Sequence, residues 1–339
     1  MKLLLVGYGV VGQALARLLE AERAALYARH AFSPSLVGVI DSRGAAADPR
    51  GLDVAALDEA KRSHGTVGAL PIYGLGDLDP IELIVESEAQ VLVEATPTSV
   101  AAPGPSIARL KAAFRSGKHA VCVNKGPLAV ALPALLELAR HNQVEFRFSG
   151  TVGGGTPMLN FAQECARGDH VTAVRAVLNG TTNFILWRMA LEGETFHAAL
   201  AEAMRLGYAE RDPSADVDGI DTATKLVILA NGVLRRACAI GDVSITGVRG
   251  VTREQVERAR ASRHVIKLVA EIDHGLSVAP REVPADSPLN VPANLNALSL
   301  ELRTGGDVTL VGRGAGGPET ATAVLRDLID IWHSIGSTP

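Results

Sequence analysis

The chain has 339 residues, of which 33 are basic and 37 acidic, so its formal net charge is −4. That length suits about two domains, and a hydrophobic content of 47% can fill two cores, which excludes a wholly disordered chain. With only 4% aromatic residues, no basic cluster and no apolar run of membrane-spanning length, we expect no binding to nucleic acid and no membrane insertion.

Short apolar runs alternate with helical patterns through the first 150 residues. Residues 3–6 form an apolar run that ends at Gly7, as is typical of a buried strand entering a tight turn, and residues 11–30 have a long helical pattern. Further strands are predicted at residues 36–40, 91–94, 120–123 and 144–148, and helices at residues 106–115 and 132–140. Alternating units of this kind predict an α/β fold with a parallel, Rossmann-type sheet in residues 1–150.

The pattern changes after residue 150. The predicted elements are a strand at residues 171–178, helices at 183–191, 195–206 and 220–231, strands at 298–302 and 308–311, and a last helix at 320–335. Residues 286–294 contain two prolines and are predicted to be a connection. Because a last helix of this kind commonly packs back on the first domain, we expect residues 151–312 to be an inserted α+β domain and residues 313–339 to complete the first.

A glycine-rich segment follows the first predicted strand. Gly7-Tyr8-Gly9-Val10-Val11-Gly12 matches the G-x-G-x-x-G pattern of dinucleotide-binding loops, and a predicted helix comes directly after it. In that context Gly7 permits a tight turn, Gly9 lets the backbone approach a pyrophosphate, and Gly12 allows close packing of helix on strand. The helix N-terminus then faces the negative charge, so a dinucleotide cofactor is predicted.

The choice between NAD and NADP depends on the end of the second predicted strand. Asp41 closes that strand, where an acidic residue usually accepts hydrogen bonds from the adenosine ribose, and a carboxylate favours NAD because it repels a 2′-phosphate. Arg43 lies two residues further on, and Lys61 and Arg62 follow. These cations could pair with a 2′-phosphate, so the sequence leaves the choice open.

Two more segments end predicted strands at the edge where this fold binds the nicotinamide. Thr96 lies in a Thr-Pro turn after the strand at 91–94, and Lys125 lies in an Asn-Lys-Gly segment after the strand at 120–123. Each also has an ordinary interpretation, since such turns are common and a lone lysine is usually solvated. The residues by themselves leave both roles open.

Residues 210–221 contain five carboxylates, and Lys225 follows them. Asp221 and Lys225 are four residues apart and therefore lie on one face of the helix predicted at 220–231. An exposed pair would contribute only roughly a few tenths of a kcal/mol, but the apolar continuation of the helix predicts that it is buried. A buried lysine beside a carboxylate is often catalytic, so a chemical role is favoured over a solvated pair.

Taken together, these motifs resemble those of homoserine dehydrogenases. The resemblance rests on GYGVVG at 7–12, VNKGPLA at 123–129, TVGGGTPML at 151–159, LNGTTNFIL at 178–186, EAMRLGYAERDPSADVDGIDTATKLVILAN at 202–231 and GRGAGGPETATAV at 312–324. These blocks run nearly from end to end of the chain, and the acidic block that ends in the lysine is the most specific.

The resemblance implies reversible, NAD- or NADP-dependent hydride transfer between L-homoserine and L-aspartate 4-semialdehyde, in the synthesis of threonine, methionine and isoleucine. It implies Lys225 as the acid/base for the hydroxyl proton, with Lys125 and Asp221 beside it. The residues implied in substrate binding are Thr181, Tyr208, Glu210, Asp216, Asp221 and Lys125. Those implied in cofactor binding are Gly7, Gly9, Val10, Val11, Gly12, Asp41, Arg43, Thr96, Lys125 and Gly314.

A sodium ion is a further implication of the resemblance. The family often binds a monovalent cation through backbone carbonyls of its V-G-x-G-x-P loop, which here are those of Val152, Gly154 and Thr156. A glutamate side chain usually completes that site, and its position falls on Ser149. A neutral hydroxyl is a poorer ligand, which weakens the prediction of a sodium site.

The resemblance also implies an assembly and a chain length. Family members are typically homodimers joined through a sheet of the second domain, for which the strands at 298–302 and 308–311 are candidates. Only a single helix follows the glycine-rich loop at 312–317, so we expect no C-terminal regulatory domain. Three cysteines cannot form a disulfide framework and no signal peptide is recognisable, which favours the cytoplasm.

Two other interpretations are weighed against this one. A Rossmann dehydrogenase for another small amino acid or semialdehyde would share the cofactor loop, but the block at 210–225 argues against it. A nucleotide-sensing regulatory protein would keep the fold without catalysis. It would have no need of Lys125, Asp221 and Lys225 together, so an enzyme is favoured.

Overall fold

The computed structural model describes residues 1–76 and 78–336. Its chain divides into two compact units, the first made of Met1–Thr151 with Gly316–Pro339 and the second of Val152–Ala315. The strands are β1 (Lys2–Val6), β2 (Ser35–Asp41), β3 (Gly44–Ala47), β4 (Gly74–Leu75), β5 (Val91–Glu94), β6 (His119–Cys122), β7 (Phe146–Arg147), β8 (Val171–Val177), β9 (Ser244–Ile245), β10 (His264–Ile272), β11 (Leu276–Pro284), β12 (Leu295–Leu302) and β13 (Gly306–Arg313). The helices are α1 (Val10–Ala21), α2 (Arg23–His30), α3 (Val54–His64), α4 (Pro80–Glu86), α5 (Gly104–Arg115), α6 (Lys125–His141), α7 (Met158–Gly168), α8 (Gly180–Glu192), α9 (Phe196–Arg205), α10 (Ser214–Val217), α11 (Ile220–Gly232), α12 (Arg253–Ala261) and α13 (Gly317–Gly336).

The strands of the first unit form one sheet in the order β4-β3-β2-β1-β5-β6-β7. From β2 to β7 the neighbours are parallel, and these five strands are the five apolar runs that predicted them. The expected Rossmann-type α/β fold is confirmed. The short antiparallel strands β3 and β4 extend the sheet beyond β2. They contain only Gly, Ala and Leu, so no alternating pattern predicted them.

One hydrophobic cluster holds the first unit together. It combines Leu3 and Leu5 of β1 with Leu15 of α1 and Leu328 of α13, and all four side chains are fully buried. The last helix therefore packs in the core that the first 151 residues build, although almost the whole second unit separates them along the chain.

Two predicted boundaries in the first unit are wrong. The single helix expected at 11–30 is two helices, because the backbone leaves the helical conformation at Glu22 (φ −93°, ψ 5°). The apolar stripe of Leu15 and Leu19 would continue at position 22, where a charged side chain stands instead of an apolar one. Helix α6 begins seven residues earlier than expected, at Lys125, because the Asn124 side chain caps it by accepting the Gly126 amide.

The second unit is built on a mixed sheet in the order β13-β12-β8-β10-β11-β9. Its neighbours are antiparallel except for the short parallel pair of β9 with β11. The predicted strands at 171–178, 298–302 and 308–311 correspond to β8, β12 and β13, whereas β10 and β11 are additions to the prediction. This sheet with its helices confirms the expected α+β character of the unit.

Helix α11 is almost entirely buried: every residue from Thr222 to Asn231 is inaccessible to solvent or nearly so. A helix that is buried on all sides belongs to a core, and this one carries Lys225 into the interior of the second unit. None of the helices in the part of the chain that the structure describes is long and apolar enough to cross a membrane.

Candidate active site

The glycine loop of the first unit has the geometry of a phosphate cradle. Gly7 has a φ of +102°, and a Cβ there would lie 2.5 Å from the Ala95 carbonyl oxygen. A Cβ on Gly12 would lie 2.1 Å from the Gly7 carbonyl oxygen, so both positions require glycine. Gly9 is the N-cap of α1 and has no side chain to cap it, and nothing lies within 4 Å of its Cβ position. The amide end of the helix is therefore open to an anionic group, which fits a dinucleotide pyrophosphate.

The carboxylate of Asp41 is fully occupied by protein donors. One oxygen accepts from the Arg43 amide at 2.8 Å and the Thr66 hydroxyl at 2.9 Å. The other accepts from the Lys61 ammonium at 2.7 Å and the Val67 amide at 2.9 Å. Burial acts to raise the pKa of Asp41, but these hydrogen bonds together lower it. Since a carboxylate has about four acceptor positions, this one has none left for a ribose hydroxyl.

A buried polar network supports the Thr-Pro turn. The Arg109 guanidinium clamps the Glu94 carboxylate through two hydrogen bonds of 2.7 and 3.2 Å. The Thr96 hydroxyl donates to Glu94 and accepts from the Asn124 amide at 2.9 Å. The same Asn124 nitrogen reaches the Ser106 hydroxyl at 3.0 Å. The network fixes the turn at the carboxyl end of β5, and the sequence reasoning missed all of its members except Thr96.

Lys125 lies at the first position of α6. Its backbone amide donates to the Thr98 hydroxyl at 3.3 Å, which ties the start of this helix to the Thr-Pro turn. The structure therefore brings Thr96 and Lys125 to adjacent segments at one edge of the first sheet.

The second unit holds Lys225 in a polar site of its interior. The side chain is 7% exposed, and its ammonium donates to the Leu178 carbonyl at 2.7 Å. It also pairs with Asp221 at 2.7 Å, one helical turn earlier. The predicted pair at positions 221 and 225 is therefore present and buried, because the apolar helix α11 carries it inside.

A second carboxylate joins this pair. The side-chain amide of Asn179 lies 2.6 Å from an oxygen of Asp216 and 3.0 Å from one of Asp221. Burial, followed by the charge of Asp221, raises the pKa of Asp216. Three residues singled out in the sequence, at positions 216, 221 and 225, thus lie in one cluster.

The remaining residues predicted to bind substrate differ in how far they are exposed to solvent. The Thr181 hydroxyl donates to the Tyr208 carbonyl at 2.6 Å, and the Tyr208 ring packs on Phe184 with 4.9 Å between the centroids. Tyr208 is 40% exposed, and Glu210, two residues on, is also exposed. The segment that leads from α9 to α10 therefore presents both side chains to solvent.

The two glycine-rich loops of the second unit lie against each other. A Cβ on Gly154 would lie 2.8 Å from the Gly314 carbonyl oxygen, and the Thr156 hydroxyl donates to the Arg313 carbonyl at 2.9 Å. A Cβ on Gly314 would lie 2.0 Å from the amide nitrogen of the buried Asn296. These close approaches explain the glycines there. Among the described residues no cluster of three His, Cys, Asp or Glu side chains could hold a metal ion.

Comparison with known proteins places both units in one family. The family model "Homoserine dehydrogenase, NAD binding domain" matches residues 7–149, and the model "Homoserine dehydrogenase" matches residues 157–329. The homoserine dehydrogenase of Methanocaldococcus jannaschii is 40% identical over 335 residues, which covers 98% of this chain and 99% of the relative. The NAD(+)-dependent homoserine dehydrogenase of Pseudomonas canavaninivorans is 37% identical, with 98% of this chain and 96% of the relative covered.

Solved structures agree with the sequence relatives. A putative homoserine dehydrogenase from Archaeoglobus fulgidus superposes with a TM-score of 0.89 at 34% identity, covering 98% of this chain and 99% of that one. A hyperthermophilic archaeal homoserine dehydrogenase in complex with NADPH gives a TM-score of 0.84 at 29% identity, with 98% of both chains covered. The resemblance predicted from the motifs is confirmed: the chain belongs to the homoserine dehydrogenase family.

Proposed function

We propose that the chain catalyses the NAD(P)-dependent oxidation of L-homoserine to L-aspartate 4-semialdehyde and the reverse reduction, with Lys225 as the acid/base. Family membership supports the reaction. The observation that carries the role of Lys225 is its burial between the Leu178 carbonyl and the Asp221 carboxylate, since a buried amine held by acceptors is prepared to exchange one proton with a substrate oxygen.

The proposed step is balanced by one hydride and one proton. The bound dinucleotide supplies the hydride-accepting chemistry at its nicotinamide ring. In the oxidation, Lys225 in its neutral form takes the proton of the substrate hydroxyl while the hydride leaves the same carbon, and an aldehyde results. In the reduction the protonated amine returns that proton to the oxygen.

The substrate is a zwitterion with an ammonium and a carboxylate, so it requires charges of both signs. We assign the ammonium to the carboxylates of Asp216 and Glu210, with Thr181 and Tyr208 lining the same side. Asp221 orients Lys225 through the ion pair of 2.7 Å. We assign Lys125 to the reacting end of the substrate and cofactor, on the strength of its VNKG motif.

Cofactor choice follows from the occupied carboxylate of Asp41. Because its oxygens already accept four hydrogen bonds, the usual recognition of an unphosphorylated ribose is not available to it. Arg43 is exposed beside it and donates to the His64 carbonyl at 3.0 Å, and Lys61 neutralises Asp41 at 2.7 Å. We infer that the chain binds NADP(H) more tightly than NAD(H).

The residues proposed for a sodium ion fit it poorly. The Thr156 carbonyl already accepts the Met158 amide at 2.8 Å. Ser149 offers only a neutral hydroxyl, and its amide is engaged with Asp327 at 2.9 Å. We therefore derive no catalytic step through a cation.

We also propose a homodimer in the cytoplasm that serves the synthesis of threonine, methionine and isoleucine. Strand β13 is an edge of the second sheet and exposes Val311, and an apolar edge of this kind suits pairing with a second copy. The free thiols of Cys122, Cys165 and Cys238 suit a reducing compartment.

The test follows reduced-cofactor absorbance with homoserine and either dinucleotide, with L-serine as the substrate control. We expect homoserine-dependent reduction in wild type and a loss of about 10²–10⁴-fold in kcat for Lys225→Met, with dinucleotide binding retained. Lys267→Met is the matched control, since Lys267 is a second buried lysine of the same unit and donates to the Val291 carbonyl at 2.7 Å. Equal losses in both variants, or no homoserine-dependent signal in wild type, would reject the proposal.

A further inference from the structure

We propose that Asn179 is a positioning residue for the acid/base, because its side-chain amide fixes the two carboxylates Asp216 and Asp221 beside each other. The inference rests on the proposed role of Lys225 and adds to it a residue that acts through the carboxylates beside the lysine. It assigns a chemical task to the Asn-Gly-Thr segment that follows β8.

The orientation of the Asn179 amide is determined by its neighbours. Asn179 is 4% exposed and caps helix α8: its side-chain oxygen accepts the Thr182 amide at 2.8 Å and lies 3.0 Å from the Thr182 hydroxyl. Since a backbone N–H can only donate, this atom must be the oxygen. The NH₂ group therefore faces Asp216 at 2.6 Å and Asp221 at 3.0 Å, and it has one hydrogen for each.

Two carboxylates so close to one nitrogen repel each other, and in a buried place the repulsion favours a shared proton. Burial and the charge of Asp221 raise the pKa of Asp216, while the hydrogen bond from Asn179 opposes that rise. The two N–H groups of Asn179 therefore favour the state in which both carboxylates are charged. Removal of the amide would favour the state with one proton between them.

The same short segment also reaches Lys225. The Asp221 oxygen that accepts from Asn179 lies 2.7 Å from the Lys225 ammonium, and the Leu178 carbonyl accepts from that ammonium at 2.7 Å. The segment also packs closely against another part of the backbone: a Cβ on Gly180 would lie only 2.7 Å from the Asn294 carbonyl oxygen. Two charged carboxylates favour the protonated lysine, so Asn179 sets how readily Lys225 gives up its proton.

The cap and the charge effect use different atoms of Asn179, so they can be separated. Asn179→Asp keeps the size of the side chain and the capping oxygen, but it replaces the donating NH₂ group by an oxygen and so adds a third carboxylate to the cluster. Asn179→Ser keeps a capping oxygen and removes the amide. Both serine and aspartate are good N-caps, so helix α8 is expected to form in either variant, which a thermal melt of each purified protein checks.

The measurement is the pH profile of kcat and kcat/KM for homoserine oxidation. We expect Asn179→Ser to move the limb assigned to Lys225 about one pH unit downward, because one negative charge is lost. Asn179→Asp should leave the limb close to its wild-type position, because its added carboxylate offsets the proton that is taken up when the amide is lost. Asp216→Asn should reproduce the downward shift, and Asn179→Ser combined with it should add no further shift. The Asp216→Asn variant keeps the test valid if an Asn179 variant is unstable.

The outcomes separate this inference from the proposed function. If wild type shows no homoserine-dependent turnover, or if Lys225→Met is fully active, the proposed function fails. If turnover depends on Lys225 but Asn179→Ser leaves the limb in place, or Asn179→Asp moves it downward as far as Asn179→Ser does, Asn179 is only a helix cap and the inference is wrong.

Discussion

The two units differ in how many hydrogen-bond donors they provide to their carboxylates. In the first unit Glu94 is fully buried and clamped by a guanidinium through two hydrogen bonds, and Asp41 accepts from four donors. In the second unit Asp216 and Asp221 share a single amide nitrogen. A carboxylate whose acceptor positions are all filled fixes the groups that donate to it. A carboxylate that shares a donor with a second carboxylate can gain or lose a proton more easily.

The difference suits the two tasks. A loop that must hold a large cofactor in one pose gains from rigid supports, and the Glu94 network provides them under the Thr-Pro turn. The proposed proton-transfer site around Lys225 requires groups whose charge can change, and burial raises the pKa of Asp216 there.

The largest expected effect concerns the clamp of the first unit. Arg109→Met removes the cation and leaves Glu94 buried without its partner, which typically costs about 3–5 kcal/mol. We expect a loss of that size in the free energy of unfolding, measured by urea denaturation. In the double variant with Glu94→Gln most of the loss should be recovered, because no isolated charge is left. An equal loss in both proteins would mean that packing, and not charge, is responsible.

The matching change in the second unit should affect turnover instead. Asp221→Asn keeps an acceptor for Lys225 but removes the charge, and we expect kcat to fall about 10²-fold. Because the Lys225 ammonium can release its proton and so need not remain an isolated buried charge, the loss in the free energy of unfolding should be smaller than that of Arg109→Met. Asp218→Asn is the control, since the Asp218 side chain is 43% exposed and pairs with Arg249. The contrast between the units would be broken if Asp221→Asn unfolded the protein as Arg109→Met does.

A third change returns to the first unit and concerns a carboxyl that is almost completely buried. Asp327 is 1% exposed, and burial raises its pKa to about 6. A pKa raised in the folded state means that stability is complete below about pH 4 and is lost as pH rises through about 6. Asp327→Asn should therefore be more stable than wild type at pH 7, by about 3 kcal/mol, and should lack this pH dependence.

Urea denaturation of wild type and Asp327→Asn between pH 4 and pH 8 measures the effect. Asparagine keeps an oxygen for the Ser149 amide, which now donates at 2.9 Å, so the hydrogen bond itself is retained. Parallel curves for the two proteins would show that Asp327 stays charged throughout and that this unit tolerates a buried, charged carboxylate.

The sequence predicted the parts of the molecule that local patterns encode. The five parallel strands are short apolar runs, the glycine loop has a fixed spacing, and the pair at positions 221 and 225 follows from the helical repeat. Each of these patterns is contained in a short stretch of consecutive residues. The roles assigned to the individual site residues remain predictions.

What the sequence did not predict depends on distance along the chain. Asn179 meets its carboxylates 37 and 42 residues away, and its Asn-Gly-Thr pattern alone indicates only a loop. Arg109 of α5 reaches Glu94 from 15 residues away, across the loop that joins β5 to α5. Strands β10 and β11 escaped because neither sequence alternates strictly between apolar and polar residues. Two prolines also lie in β11, and proline argues against a strand.

The smallest expected effect concerns Arg43. It tests whether this cation binds the 2′-phosphate of NADPH, given that the Asp41 carboxylate is occupied by protein donors. Arg43→Ala should weaken NADPH binding about tenfold, or roughly 1.4 kcal/mol, because a charged hydrogen bond to the 2′-phosphate is lost, and should leave NADH binding within about twofold. Fluorescence titration of both reduced cofactors gives the two dissociation constants. Arg115→Ala is the control, since Arg115 is exposed in the last turn of α5. Equal weakening of both cofactors would make Arg43 a support of the loop through its bond to the His64 carbonyl, and the first unit would then read the ribose by another group.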